Sequence, residues 1–312
     1  MTTWKKLLEE YLFLRRSLGF KLERVGSLLY GFVEFLEKEK ASYITTKLAL
    51  KWVTQSVDVQ PARLATRLGM VRLFAKYQSA ADPRTEIPPD GLLSCRYRRK
   101  QPYIYTDDEI LKLLSAAQGL KSKLGLLSHT MSTLLGLLAV TGMRISEVIN
   151  LDQKDVDLGQ GILTVRQTKF NKWRLVPVHI STRDKLYQYA RIRDRICPRP
   201  KSPAFFVSEC GTRLTDWTVR RWFVILSHQI GLRSSGDIHG PRLHDMRHRF
   251  AILTLLGWYR QGEVCAGKNM VALTTYLGHG HITGTYWYIS ANPELLRLAA
   301  LRLEEKKGEI TL

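Results

Sequence analysis

The sequence predicts a mainly α-helical protein with one small antiparallel β-sheet: an all-helical N-terminal domain, then an α+β domain, the two forming a clamp. Three observations lead there. A chain of 312 residues suits two hydrophobic cores better than one. Apolar residues recur at helical spacing along most of it, while runs rich in β-branched and aromatic residues gather only around 162–178. Between Ser79 and Gln101 the pattern breaks into prolines, an Asp-Gly pair and a basic run, the composition of an exposed linker.

In the first domain, 1–90, Trp4, Leu7, Leu8, Tyr11, Leu14 and Leu18 form a helical stripe that Gly19 ends. Val25, Leu28, Leu29, Phe32, Phe35 and Leu36 repeat the pattern, with Glu34, Glu37 and Lys38 opposite. Thr45 or Thr46 caps a third helix carrying Leu48, Leu50, Trp52 and Val53. Pro61 opens a fourth, where the first turn tolerates proline, ahead of Leu64, Leu68, Val71 and Phe74. Its Arg63, Arg67, Arg72 and Lys76 make a basic face, either merely solvated or set against phosphates. The linker, 91–102, adds Arg96, Arg98, Arg99 and Lys100. A basic linker suits a protein that closes around DNA, because the duplex presents one negative charge per ~1.7 Å.

The second domain, 103–312, opens on Thr106-Asp107-Asp108-Glu109, a capping box. Ile162 to Val165 and Trp173 to Val178 pair as a hairpin that places Lys169 near its tip. Helices are expected over Arg183 to Ile196, Trp217 to Ile230, His244 to Leu256, and after Asn292-Pro293. Gly257 to Ala272, with its Gly, Lys and Asn content, reads as an extra loop.

Composition narrows the function. Forty-eight Lys and Arg against 28 Asp and Glu give a net charge of +20, which favours a polyanionic partner. A membrane is disfavoured: the longest apolar stretch, Leu134 to Val140, falls far short of the roughly 20 residues a spanning helix needs. Met1 to Phe20 interleaves Lys and Glu with apolar residues and is no signal peptide. Cys95, Cys197, Cys210 and Cys265 are scattered without a CxxC pair, so a cytoplasmic setting is expected, with neither a disulfide framework nor a zinc knuckle.

Three segments carry chemistry, in order: Thr141-Gly142-Met143-Arg144-Ile145-Ser146-Glu147, Leu243-His244-Asp245-Met246-Arg247-His248, and Leu277-Gly278-His279 with Tyr288 nine residues on. Singly, each has a bland reading: a surface arginine, a surface His/Arg pair, an aromatic core stripe. Jointly, with the hairpin Lys169 between the first two, they resemble the tyrosine recombinase (phage integrase) family. The resemblance spans most of the chain, with residues from about 103 onward similar to its catalytic domain and 1–90 to its core-binding domain.

The resemblance implies a site-specific DNA recombinase. Tyr288 attacks the phosphorus to leave a 3′-phosphotyrosine and a free 5′-hydroxyl. Resealing reverses the reaction with an incoming 5′-hydroxyl, so no nucleotide cofactor and no metal are required. Arg144 and Arg247 hold the charge on the non-bridging oxygens through forked donors that stay protonated, and His279 adds another donor. Lys169 protonates the leaving 5′-oxygen, and His244 assists the tyrosine proton or the phosphate. Glu147 either orients a neighbouring cation or serves as a helix-start carboxylate. The expected partners are double-stranded DNA with a recombination site and other subunits, as a homotetramer on DNA or with a related recombinase. A C-terminal tail rich in leucine (Leu295, Leu296, Leu298, Leu301, Leu303) docks on a neighbour or folds back. Integration or excision of a mobile element and resolution of replicon multimers both use this chemistry.

Alternatives stay open in the sequence. Tyr286 lies two residues before Tyr288, and His281 two after His279. His244 and His248, with Asp245 between, echo the HExxH zinc motif of metallohydrolases, although Arg247 would set a cation beside the metal. A type IB topoisomerase and a catalytically silent DNA-binding relative share parts of the pattern.

Overall fold

The computed structural model describes residues 3–55, 59–94, 101–166, 173–234, 236–237, 240–261 and 266–310. The chain divides into two compact units, Met1–Lys100 and Gln101–Leu312.

Unit 1 is built from α1 (Trp4–Ser17), α2 (Glu23–Lys38), α3 (Thr46–Thr54) and α4 (Pro61–Gln78). The Thr3 and Thr45 side chains each accept an amide at a helix start, satisfying donors that have no intrahelical partner. Leu8, Leu12, Leu29, Phe32, Leu36, Leu68 and Phe74 form its fully buried core, each contributing about 1.5–3 kcal/mol of transfer free energy. The α1 stripe is narrower than its leucines suggest. Leu8, Tyr11 and Leu12 are buried, whereas Leu14 and Leu18 face solvent. After α4 the chain folds back: Arg72 donates to the carbonyls of Pro88 (2.6 Å) and Pro89 (2.7 Å) and pairs with Asp90. That arginine braces its own unit, which removes it from the basic face expected on α4.

Unit 2 runs α5 (Asp107–Gln118), α6 (Leu126–Thr141), α7 (Ile145–Ile149), then the strands β1 (Val156–Asp157), β2 (Ile162–Val165) and β3 (Arg174–Pro177). It continues with α8 (Ile180–Ile196), α9 (Asp216–Gln229), α10 (Leu243–Arg260), α11 (Ala266–Leu277), α12 (Thr283–Ala291) and α13 (Pro293–Ile310). The sheet is antiparallel in the order β1-β2-β3, with Val165 opposite Arg174. Thr106 and Glu109 form the capping box of α5. At two residues, β1 is too short for alternation to betray it.

The central helix is α6, apolar nearly all round, as burial on several sides requires; Leu126, Met131, Leu134, Leu135, Leu137 and Leu138 are buried, and α5, α8 and α10 pack on it. It ends at Gly142, where φ is +60° and an added Cβ would stand 2.6 Å from the Phe250 ring. A second core joins α10 to α13 through Ile252, Leu255, Leu273, Leu277, Tyr288 and Leu295. The extra loop expected over 257–272 is largely helix instead: 257–260 complete α10 and 266–272 begin α11. Ile252, Leu255, Met270 and Leu273 continue one buried stripe on these two helices, and that packing outweighs the glycines. Leu295 is buried within the chain's own domain, while Leu296 and Leu301 are exposed.

Candidate active site

The site assembles where the C-terminus of α11 meets the N-termini of α7 and α10. A helix C-terminus leaves its last carbonyls without intrahelical donors, and here guanidinium groups supply them. Arg174 Nε donates to the Tyr276 carbonyl (2.8 Å), Arg247 Nη2 to Leu277 (2.6 Å) and Arg144 Nη2 to Gly278 (3.2 Å). Arg247 Nη1 also donates to the Gly142 carbonyl (2.9 Å), tying the turn after α6 to the turn after α11. Arg247 is 2% exposed. Burial, then the nearby Arg144, lower its pKa to about 10, so it stays cationic at neutral pH.

Arg144 is half-buried at the start of α7. Its amide donates to Glu147 Oε2 (2.8 Å) and its Nη1 to Oε1 (2.7 Å). Glu147 thus does both jobs the sequence allowed, closing the helix start and gripping a cation. Arg174, on β3, grips the same carboxylate with two prongs, Nη1 to Oε1 at 2.9 Å and Nη2 to Oε2 at 2.7 Å. Burial alone would raise the Glu147 pKa; the Arg174 hydrogen bonds and charge, then Arg144, outweigh it and pull the value down to about 2.

Histidines and aromatics line the other side. His279 Nδ1 shares a hydrogen bond with Thr285 Oγ1 (2.8 Å), and its ring stacks over Tyr288 at 6.1 Å between centroids. Tyr288 is 2% exposed and Tyr286 49%. Tyr288 also meets the His248 ring at 5.5 Å and interacts electrostatically with Arg247. Burial and then Arg247 lower the His244 and His279 pKa values to about 4, although His244 as a residue is exposed and His279 half-buried. Burial, then His244, takes His248 down to about 3. All three rings are therefore neutral near pH 7.

The structure brings Arg144, Glu147, His244, Arg247, His279 and Tyr288 together. Lys169 lies outside the described residues, as do Arg96, Arg98, Arg99 and Lys100. Arg63 and Lys76 are exposed on α4, whereas the Arg67 guanidinium sits 4.5 Å over the Trp52 ring. His244 and His248 meet edge to face at 4.7 Å, Asp245 binds Arg242, and among the described residues no three His, Cys, Asp or Glu side chains group to hold a metal.

Sequence reasoning missed Arg174 and Thr285, and weighed His248 only as a metal ligand. A signal existed for Arg174 alone: on β3 it falls in phase with buried Val176, while Leu175 faces out. A cation on the inward phase of a strand needs a buried partner.

Residues 104–294 match the phage integrase family. The chain is similar to y4rB of Sinorhizobium fredii, which bears the name integrase/recombinase, at 46% identity over 98% of each chain. It is 26% identical to the tyrosine recombinase XerD of Staphylococcus epidermidis over 93% of this chain and 96% of that one. Among solved structures, the integrase of transposon Tn1549 in complex with transposon right-end DNA aligns with 97% of this chain and 100% of that one, at a TM-score of 0.69 and 18% identity. That last likeness is one of fold.

Proposed function

The chain belongs to the phage integrase family and is a site-specific tyrosine recombinase, and we propose that Tyr288 is its nucleophile and double-stranded DNA its substrate. The observation that carries the assignment is the convergence of Arg144 and Arg247 on the 277–278 carbonyls, beside His279 and the Tyr288 ring stacked on it.

Tyr288 Oη forms the bond to phosphorus as the bond to the 5′-oxygen breaks, leaving a 3′-phosphotyrosine and a 5′-hydroxyl. The phenol's proton passes to a neutral imidazole, His244 or His279, both of which can accept because their pKa values lie near 4. Arg144 and Arg247 exchange carbonyl partners for the non-bridging oxygens, where forked charged donors are worth most in a dry site. Lys169 donates the proton the departing oxygen takes up. An incoming 5′-hydroxyl reverses each transfer, so bond energy is kept and no nucleotide cofactor is consumed.

Exchange between two duplexes breaks four strands, and each protomer carries one Tyr288. The working assembly is therefore a tetramer, of this chain alone or with a related recombinase. Exposed Arg63 and Lys76, with the 96–100 run, meet the DNA backbone. The biological substrate is a mobile element or a replicon multimer, and the compartment is the cytoplasm. Among the described residues no helix is long and apolar enough to cross a membrane.

The test is covalent capture. Wild-type protein is incubated with nicked duplexes of randomised core sequence, and protein-linked DNA that survives detergent is recovered. Wild type and Tyr286→Phe form the adduct, and Tyr288→Phe does not. An adduct that persists in Tyr288→Phe and disappears in Tyr286→Phe moves the nucleophile.

A further inference from the structure

Three arginines surround the end of α11, and the recombination chemistry uses two of them. The third, Arg174, has every guanidinium nitrogen engaged: Nε on the Tyr276 carbonyl, Nη1 and Nη2 on Glu147. Its side chain is 9% exposed and that of Glu147 is 7% exposed. Arg174 is therefore buried behind the site and occupied, so a phosphate is not its partner.

Its neighbours show what it does. Each Glu147 oxygen accepts twice: Oε1 from Arg144 Nη1 and Arg174 Nη1, Oε2 from the Arg144 amide and Arg174 Nη2. The two-pronged pairing belongs to Arg174, and Arg144 is left a single side-chain contact with the carboxylate. That leaves Arg144 Nη2 aimed at the Gly278 carbonyl, beside His279. Gly278, with φ of +66°, lies against the same guanidinium: an added Cβ would stand 2.9 Å from Arg174 Nη1. Arg174 also fixes β3, the strand that follows the Lys169 segment.

We propose that Arg174 is a positioning residue for strand cleavage: by occupying Glu147 in a two-pronged pair and holding the Tyr276 carbonyl, it keeps Arg144 held but not neutralised and seats the Leu277-Gly278-His279 turn. This rests on the reading of Arg144 and Tyr288 given above. Without Arg174, Glu147 is a buried carboxylate whose other guanidinium partner is Arg144. A buried charge that loses one partner takes what remains, so Arg144 closes onto Glu147 in a forked pair and is withdrawn from the phosphate.

This gives a signature that a merely structural arginine lacks. Arg174→Met slows cleavage because an unanswered carboxylate captures Arg144, so removing that charge as well restores part of the rate. The experiment uses the full-length protein and a nicked duplex selected by wild-type covalent capture. It measures the single-turnover rate of adduct formation, duplex affinity and thermal melting for wild type, Arg174→Met, Glu147→Gln and the double variant. Arg174→Met is expected to cleave about 100-fold more slowly at near wild-type affinity. The double variant is expected to be about 10-fold faster than Arg174→Met at temperatures where melting shows both fully folded, a sign of coupling that independent losses do not produce.

A wild-type cleavage rate in Arg174→Met overturns the proposal. So does a double variant no faster than a folded Arg174→Met. If Arg174→Met does not melt cooperatively, Arg174→Lys takes its place. It keeps the charge but not the fork, and is expected to be about 10-fold slow, a wild-type rate again overturning the proposal. Failure of the Tyr288 reading looks different: wild-type protein then forms no adduct, or Tyr288→Phe forms one.

Discussion

The exposed cations of α4 and the arginines around the end of α11 carry the same charge and behave in opposite ways. On α4, Arg63 is exposed, and Arg67 lies over an indole. Around α11, Arg247 is 2% exposed and Arg174 9%, and every fork is spent on backbone carbonyls or Glu147. An exposed arginine is held by solvent and bears mainly on affinity for a polyanion. A buried one must have its donors satisfied in place, so it fixes geometry as well as charge. Losses at α11 should therefore fall on the chemical step and on stability, and losses at the exposed positions of α4 on salt-dependent binding.

The largest expected effect is at Arg247. Lysine keeps the charge but cannot reach the Gly142 and Leu277 carbonyls as a planar fork. Arg247→Lys should lower the rate of covalent adduct formation by about 10³ while duplex affinity changes little. A lysine variant that cleaves at the wild-type rate would break the contrast, because charge without geometry would then suffice.

Two glycines sharpen it. Gly142 supports the carbonyl that Arg247 grips, and its positive φ and contact with Phe250 leave no room for a methyl. Gly142→Ala should cost about 2–4 kcal/mol in unfolding free energy, left-handed strain and overpacking together. Gly19 also has a positive φ, +88°, but nothing lies within 4 Å of its added Cβ. Gly19→Ala should cost about 1 kcal/mol, the left-handed strain alone. Equal costs in denaturant titrations would show that the α11 site is less tightly packed than its distances imply.

These residues also show what a sequence can disclose. The helices of unit 1, the capping box at Thr106 and the hairpin strands were legible because each depends on neighbours a few residues away. So was the motif Leu277-Gly278-His279, but not the reason for its glycine. Besides its left-handed φ of +66°, that glycine lies against Arg174, 104 positions earlier, and no local period reports such a contact. The loop expected over 257–272 failed for the same cause: tertiary burial of Met270 and Leu273 overrides weak helix formers. The burial of Arg247 was likewise invisible, since the helix carrying it reads as mixed polar and apolar. Chemistry was readable from residue types in order, and positioning was not.

Acid should separate the two regions next. His244, His248 and His279 have folded pKa values of about 4, 3 and 4, against 6.5 when unfolded. Between those limits the unfolded chain binds protons that the folded one refuses, so stability is full above about pH 6.5 and falls as pH drops toward 4. Glu147, depressed to about 2 from 4.5, adds to the loss below pH 4.5. The melting temperature should decline between pH 7 and pH 4, and His248→Phe, which fills the same aromatic niche without titrating, should flatten that decline. A slope unchanged by His248→Phe would assign the acid sensitivity elsewhere.

The smallest effects belong to α4, and there the comparison can be run inside one helix. Arg63 and Lys76 are exposed, whereas Arg72, on the same helix, donates to the Pro88 and Pro89 carbonyls and pairs with Asp90. If exposure decides the role, Arg63→Ala with Lys76→Ala should weaken duplex binding and reduce the slope of log affinity against log salt by about 0.9 for each phosphate no longer neutralised. Melting should barely move. Arg72→Ala should do the reverse, lowering the melting temperature of unit 1 by freeing residues 88–90 while leaving the salt slope unchanged. A salt slope that falls with Arg72→Ala and not with the other pair would mean that DNA draws Arg72 off its carbonyls, so that even a committed arginine on α4 can be recruited by phosphate.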